Sequence, residues 1–295
     1  MIKKRYPRLF SLLSLLGVTL LLGGCDFVLL DPKGQVGVEE KSLIITAILL
    51  MLIVVVPVII MTIVFAWRYR ASNTKATYAP DWAHSNKIEV VVWTVPILII
   101  LVLGYITWTS THSLDPRQPI TSDQPQMTIQ VVSLDWKWLF IYPEQGIATV
   151  NELAFPANVP VRFEVTSASV MNSFFIPQLG SQIYAMAGMK NTLHLIADHE
   201  GNYRGLSANY SGHGFSGMRF NASVTSQEKF NEWVQQVKQS AAGLDAEKYA
   251  ALEKASQNNP VERFGAVTPN FYDSIVEKYT HSSGSHAHSH SEGKE

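Results

Sequence analysis

The side chains able to do chemistry in this sequence are few and far apart. Cys25 is its single cysteine and follows Leu22, Gly23 and Gly24. Upstream lie Lys3, Lys4, Arg5 and Arg8, then an apolar run from Leu9 to Leu22. A basic start, an apolar stretch and small residues before a cut site predict a secretory signal peptide over residues 1–24. Leu-Gly-Gly-Cys is also the pattern of a bacterial lipobox, in which the thiol is acylated and Cys25 becomes the mature N-terminus. The plainer alternative is an ordinary signal peptide with a free thiol beside it, an oxidation liability in an oxidising compartment. With Cys25 committed to lipid, no thiolate remains. Copper, zinc or iron–sulfur centres that need cysteine are then excluded.

Glu89 is the second such residue. It stands between Ile88 and Val90 at the edge of a long apolar run. A carboxylate there serves proton or ion traffic when it faces a helix bundle or a wet cavity. Otherwise it is a solvated charge at headgroup level beside Lys87. His286, His288 and His290 alternate in a tail, residues 281–295, rich in Ser, Gly and His. Such a tail could bind metal weakly, but its composition reads as disordered. The net charge of −1 over 295 residues gives no basic patch for nucleic acid. Nothing over residues 125–225 looks like a phosphate loop, a nucleophile elbow or a dinucleotide fingerprint.

These residues need elements to place them. Residues 43–67 and 88–110 are predicted membrane helices, since an apolar stretch of about 20 residues crosses a bilayer. Pro57 and Pro96 fall inside them, which membrane helices tolerate when neighbouring helices cover the freed carbonyls. At least two of Trp67, Trp93 and Trp108 fall where interface anchors are expected. The connection 68–87 carries Arg68, Arg70, Lys75 and Lys87 against Asp81, and is therefore cytoplasmic. Residues 25–42 and everything from 111 onward then face the periplasm. Asp26 after the cysteine resembles the inner-membrane retention signal of Gram-negative lipoproteins.

From Met127 the pattern turns to short strands. Val161–Thr166 alternates apolar and polar with period two, and prolines and glycines punctuate the runs. A β-sandwich or small barrel is predicted over residues 125–225, inside a periplasmic domain of 111–225. Phe230, Trp233, Val234 and Val237 recur at helical spacing, so residues 226–280 are predicted helical, with 281–295 as the tail.

The stretch Ser207-Ala208-Asn209-Tyr210-Ser211-Gly212-His213-Gly214-Phe215-Ser216-Gly217-Met218 resembles the dinuclear-copper loop of subunit II of the haem–copper oxidases. Copper-binding members read Cys-x-Glu-x-Cys-Gly-x-x-His-x-x-Met. Here Ser207 and Ser211 stand at the cysteine positions, Asn209 at the glutamate and Phe215 at the histidine. Asn172 stands at a further histidine position, and only Met218 keeps a ligand type. Bridging thiolates hold the copper pair, and serine hydroxyls are poor substitutes for soft sulfur. Scaffold kept and ligands lost resembles subunit II of bacterial ubiquinol oxidases of the cytochrome bo type. Leu30-Asp31-Pro32-Lys33-Gly34, Val92-Trp93-Thr94-Val95-Pro96 and Asp135-Trp136-Lys137-Trp138 carry the same resemblance.

That resemblance implies a two-helix transmembrane hairpin, an all-β cupredoxin-like Greek-key barrel and short C-terminal helices. It implies an inner-membrane complex with subunits I, III and IV that oxidises ubiquinol, reduces O₂ to water and pumps protons. Haems and copper are expected in subunit I, with no cofactor in this chain, and cytochrome c is not expected as a partner. Glu89 matches a glutamate at the mouth of a proton channel. Trp136 and Trp138 match an aromatic segment that serves electron entry in copper-bearing relatives, and are read here as packing residues. Three rivals remain. They are a cytochrome c oxidase subunit II, a free-standing lipoprotein handling metal through its tail, and an assembly lipoprotein.

Overall fold

The computed structural model describes residues 27–77, 79 and 81–287. Cys25, His288 and His290 lie outside the described residues. Two long helices come first, α1 (Gln35–Arg68) and α2 (Asn86–Ser113). Their most apolar stretches reach mean hydropathies of 3.4 and 2.5, and none of those side chains is buried within the chain. Helices apolar all round and uncovered belong in lipid. Within α1, Thr62 Oγ1 donates to Val58 O at 2.8 Å, one turn back along the helix. Both helices overrun the apolar spans. The start of α1 at Gln35 takes in Glu39, Glu40 and Lys41, good helix formers that precede the apolar run.

The β domain holds two facing sheets. One contains β1 (Met127–Leu134), β2 (Lys137–Tyr142), β3 (Ile147–Val150), β5 (Val161–Ser167), β8 (Asn191–Leu195) and β12 (Glu262–Phe264), in the order β12-β3-β2-β1-β5-β8. The other contains β4 (Glu152–Pro156), β6 (Asn172–Phe175), β7 (Gln182–Ala185), β9 (Gly201–Ser207) and β10 (Arg219–Thr225), ordered β4-β10-β9-β6-β7. The β1/β5 and β4/β10 pairs are parallel among antiparallel neighbours, as crossover connections between two sheets require. Between the sheets lie Trp138, Phe140, Phe163, Phe174 and Phe220, all buried. α3 (Gln227–Lys238) closes one end with Phe230, Val234 and Val237, its first turn capped by the Ser226 side chain.

The sequence predicts only helix over 226–280, and here the structure differs. Helices α4 (Ala246–Leu252) and α5 (Phe271–Ala287) are joined by strands β11 (Gly243–Leu244), β12 and β13 (Ala266–Val267). β12 extends the first sheet by pairing with β3. The cause is a second core. β2 presents Leu139 and Ile141 on the face away from the barrel interior, and Leu244, Leu252, Phe264, Tyr272 and Ile275 cover them. Helix α5 runs to Ala287, so residues 281–287, predicted as part of the tail, are helical.

Candidate functional site: the loop at the barrel end and the joint to the membrane helices

The loop positions singled out by the sequence converge at one end of the barrel. Asn172 opens β6, Ser207 closes β9, and Met218 immediately precedes β10. Asn172 and Ser207 are buried, and Ser207 Oγ donates to Asn172 Oδ1 at 2.9 Å. Asn172 Nδ2 donates to Val170 O at 3.2 Å, and Asn209 Nδ2 to Met171 O at 3.0 Å. Ser207 N–H donates to Met218 O at 3.1 Å. Met218 is buried in the barrel core, and Phe215 sets its ring edge-on to Tyr210 at 5.6 Å.

Trp136 shapes this loop from the other sheet. It forms the β1–β2 turn with φ +61°, an unusual conformation for a bulky residue. Its Nε1–H donates to Ser211 O at 2.9 Å, and its ring lies against Gly214, where a Cβ would come within 2.4 Å. Trp138, two residues on, sits fully inside the barrel.

This arrangement can bind little metal. Its donors are hydroxyls, amides and one thioether, and most are spent on each other. Ser211 Oγ is the exception, buried without a partner among the described residues. No group of three His, Cys, Asp or Glu side chains assembles among the described residues. A copper pair does not fit these positions, because no thiolate or imidazole replaces the soft ligands it needs.

Glu89 does not join them. It lies in the first turn of α2 with its side chain exposed. Its end of the helix is about 36 Å from Ser113, at about 1.5 Å rise per residue.

A feature invisible in the sequence links the two regions. The start of α1 docks on the β6–β7 turn. Lys33 N–H donates to Gln178 O at 2.7 Å and Gly37 N–H to Leu179 O at 3.1 Å. Glu40 Oε1 accepts from Ser181 N–H at 2.9 Å and from Ser181 Oγ at 3.3 Å. Gly180, at φ +95°, comes so close that an added Cβ would stand 2.7 Å from Gly37 N. The only sequence signal is a pair of glycines more than a hundred residues apart. Gly180→Ala is expected to cost about 2 kcal/mol or more, combining a strained φ with the collision. Gly146→Ala is the control, since its φ is +69° with nothing within 4 Å. Thermal melts of the two variants in detergent should differ, and equal melting would remove the packing argument.

Comparison with known proteins agrees with this geometry. The family described as cytochrome c oxidase subunit II, periplasmic domain, matches residues 144–224, and the COX aromatic rich motif matches 238–283. Cytochrome bo(3) ubiquinol oxidase subunit 2 of Pseudomonas putida is 62% identical over 279 residues, covering 95% of this chain and 88% of that one. Ubiquinol oxidase subunit 2 of Acetobacter aceti is 56% identical over 266 residues, covering 90% and 86%. Quinol oxidase subunit 2 of Bacillus anthracis is 39% identical over 256 residues, covering 86% and 88%. The two apolar helices, the cupredoxin-like domain and these relatives lead to one conclusion: the chain belongs to the family of subunit 2 of the ubiquinol oxidases, within the haem–copper oxidases.

Proposed function

We propose that the chain is the scaffold subunit of a proton-pumping ubiquinol oxidase and holds no redox centre of its own. Ubiquinol dissolves in the membrane and reaches subunit I directly, so no water-soluble donor needs an entry port. Subunit I carries the haems and copper in this reading, and subunits III and IV complete the complex. The barrel stands in the periplasm as a cap, and Cys25 is acylated. Such a lipid adds grip of about 0.8 kcal/mol per buried CH₂. Two spans already anchor the chain, so the lipid serves placement or assembly.

One observation carries the scaffold assignment. The ligand positions hold a hydrogen-bonded Ser207–Asn172 pair inside an otherwise intact fold. Trp136 and Trp138 accordingly act as packing residues. The test is oxygen uptake by the native complex, extracted in mild detergent through a tag on this chain. Uptake with ubiquinol and none with reduced cytochrome c is expected. Uptake with cytochrome c would mean that an electron port exists. Haem-free preparations with no uptake would favour a free-standing lipoprotein.

Glu89 then gathers protons at the cytoplasmic mouth of a channel. It sits at the cytoplasmic start of α2, where the orientation rule places the basic loop. Glu89→Gln is expected to lower ubiquinol-driven turnover about tenfold, a barrier increase near 1.4 kcal/mol. Haem content per complex should stay unchanged. Parental turnover in a well-coupled assay would overturn the assignment.

A further inference from the structure

Away from the loop and the joint, one cleft concentrates positive charge that the proposed function does not use. It has a volume of about 410 Å³ and lies between the segment leaving α2 and the β5–β8 edge of the first sheet. Small-molecule sites span about 300–1,000 Å³. Arg117, Arg162, Lys190, Gln126, Thr192 and His194 face into it, and no carboxylate among the described residues lines it. Nearly every wall therefore offers a hydrogen-bond donor.

The charges are only partly balanced. Arg162 Nη2 pairs with Glu164 at 3.1 Å, and Lys190 pairs with Asp273. Arg117 makes no ion pair among the described residues. Arg162 Nε is buried and lacks a hydrogen-bond partner among them, a costly state unless something else accepts from it. Burial first, and Arg162's charge to a lesser extent, lower the pKa of His194 against the pull of Pro116 O. An anion would relieve each of these conditions.

Position decides which anion. Arg117 and Pro119 follow the end of α2 at Ser113 by four and six residues. An adjoining cleft shares Pro119 and His194 with this one and reaches back to Ser113 and to Gln35 and Glu39 at the start of α1. The basic cleft thus opens where both helices leave the bilayer. Glu39 and Asp115 line the adjoining cleft, so the favourable region for an anion stops near Pro119. Guanidinium and ammonium groups match the oxygens of a phosphate, and basic pockets at the membrane surface select anionic headgroups.

We propose that Arg117, Arg162 and Lys190 bind the phosphodiester of an anionic phospholipid from the periplasmic leaflet. The lipid is held beside the root of α2 and ties the barrel to the membrane surface.

The test uses the whole oxidase complex in lipid nanodiscs. One preparation carries photoactivatable phosphatidylglycerol and the other photoactivatable phosphatidylcholine. Labelled peptides are then mapped by mass spectrometry. Phosphatidylglycerol is expected to label residues 117–126 and 190–194 about tenfold more than phosphatidylcholine, whose choline cation offsets its phosphate charge and is repelled by the basic wall. The double variant Arg117→Gln with Lys190→Gln should lose that excess. Arg204→Gln, which removes one positive charge on the exposed β9 face away from the cleft, should keep it. The lipid comparison in the parent complex stands even where the double variant fails to assemble. Equal labelling by both lipids, or full labelling of the assembled double variant, would overturn the proposal. Loss of labelling in millimolar inorganic phosphate would assign the cleft to free phosphate instead. A carbodiimide cross-link from Lys190 to another subunit would assign it to a protein carboxylate, and either outcome rejects the lipid.

Discussion

Trp138→Ala is expected to destabilise the β domain by about 3–5 kcal/mol, the usual cost of truncating a buried aromatic. Trp138 is fully buried on β2 of the first sheet. Its ring meets Phe174 edge-on at 5.5 Å and Phe220 at 5.9 Å, and both belong to the second sheet. Those two rings stack on each other at 5.3 Å. The indole thus shares with Phe140 and Phe163 the contacts that join the sheets, and its removal leaves a cavity that backbone hydrogen bonding prevents from closing. The damage also reaches the loop, because Phe174 follows Asn172 by two residues and Phe220 follows Met218 by two. Trp138→Phe should recover most of the loss, since the indole N–H has no partner among the described residues. Urea unfolding of the detergent-solubilised chain, followed by circular dichroism, measures both. A loss under about 1 kcal/mol for alanine, the size of an ordinary surface change, would contradict the role given to this ring.

The second large effect is alkaline destabilisation. Tyr142, Tyr249 and Tyr272 are buried, and desolvation pushes each hydroxyl far above the ordinary tyrosine range. Tyr142 also holds Ala154 in both directions, accepting from its N–H at 2.8 Å and donating to its carbonyl at 3.0 Å. The unfolded chain releases these protons above about pH 10. The folded chain keeps them, so the unfolded state binds fewer protons and stability falls as pH rises. Each tyrosine contributes about 1.4 kcal/mol per pH unit, and three give about 4 kcal/mol per unit. Lys137 works in the opposite sense at lower pH. Burial lowers its pKa, though Asp135 and Glu262 partly restore it. Its contribution therefore improves as pH rises towards about 10.4 and is constant beyond that. Stability should hold up to about pH 10 and then drop steeply. Unfolding midpoints at a series of alkaline pH values check this. Tyr142→Phe should lower the slope by about 1.4 kcal/mol per pH unit, and an unchanged slope would show that Tyr142 ionises in the folded state.

Parts of this architecture are readable without coordinates because their causes are local. A bilayer demands a continuous apolar run, and Leu43–Trp67 and Val90–Trp108 are such runs. The strand over Val161–Ser167 shows its period-two burial in its own residues. Five of the six loop positions fall within Ser207–Met218, so a linear pattern captures them; Asn172, also singled out in the sequence, is brought beside them only by the fold. The C-terminal segment was less legible. Residues 262–264 contain no strand signal strong enough to outweigh the helices around them, and they pair because β3 offers an open edge. A hint existed in β2, whose Lys137–Tyr142 run is buried on every residue. A strand without alternation must be covered on both faces.

The sequence by itself determined the class of the molecule. Two apolar spans, a basic loop between them, a β domain and serines where thiolates would stand are all properties of neighbouring residues, and hydropathy or ligand chemistry acts on them directly. The tertiary structure alone decided how these parts are held together. Glu40 meets Ser181 and Gly37 meets Gly180 across 141 and 143 residues of chain. Arg117, Arg162 and Lys190 share one cleft only because the linker folds against β8. Contacts of this kind depend on where folding brings distant backbone together. Burial of the aromatic core fixes that placement, and no local pattern records it.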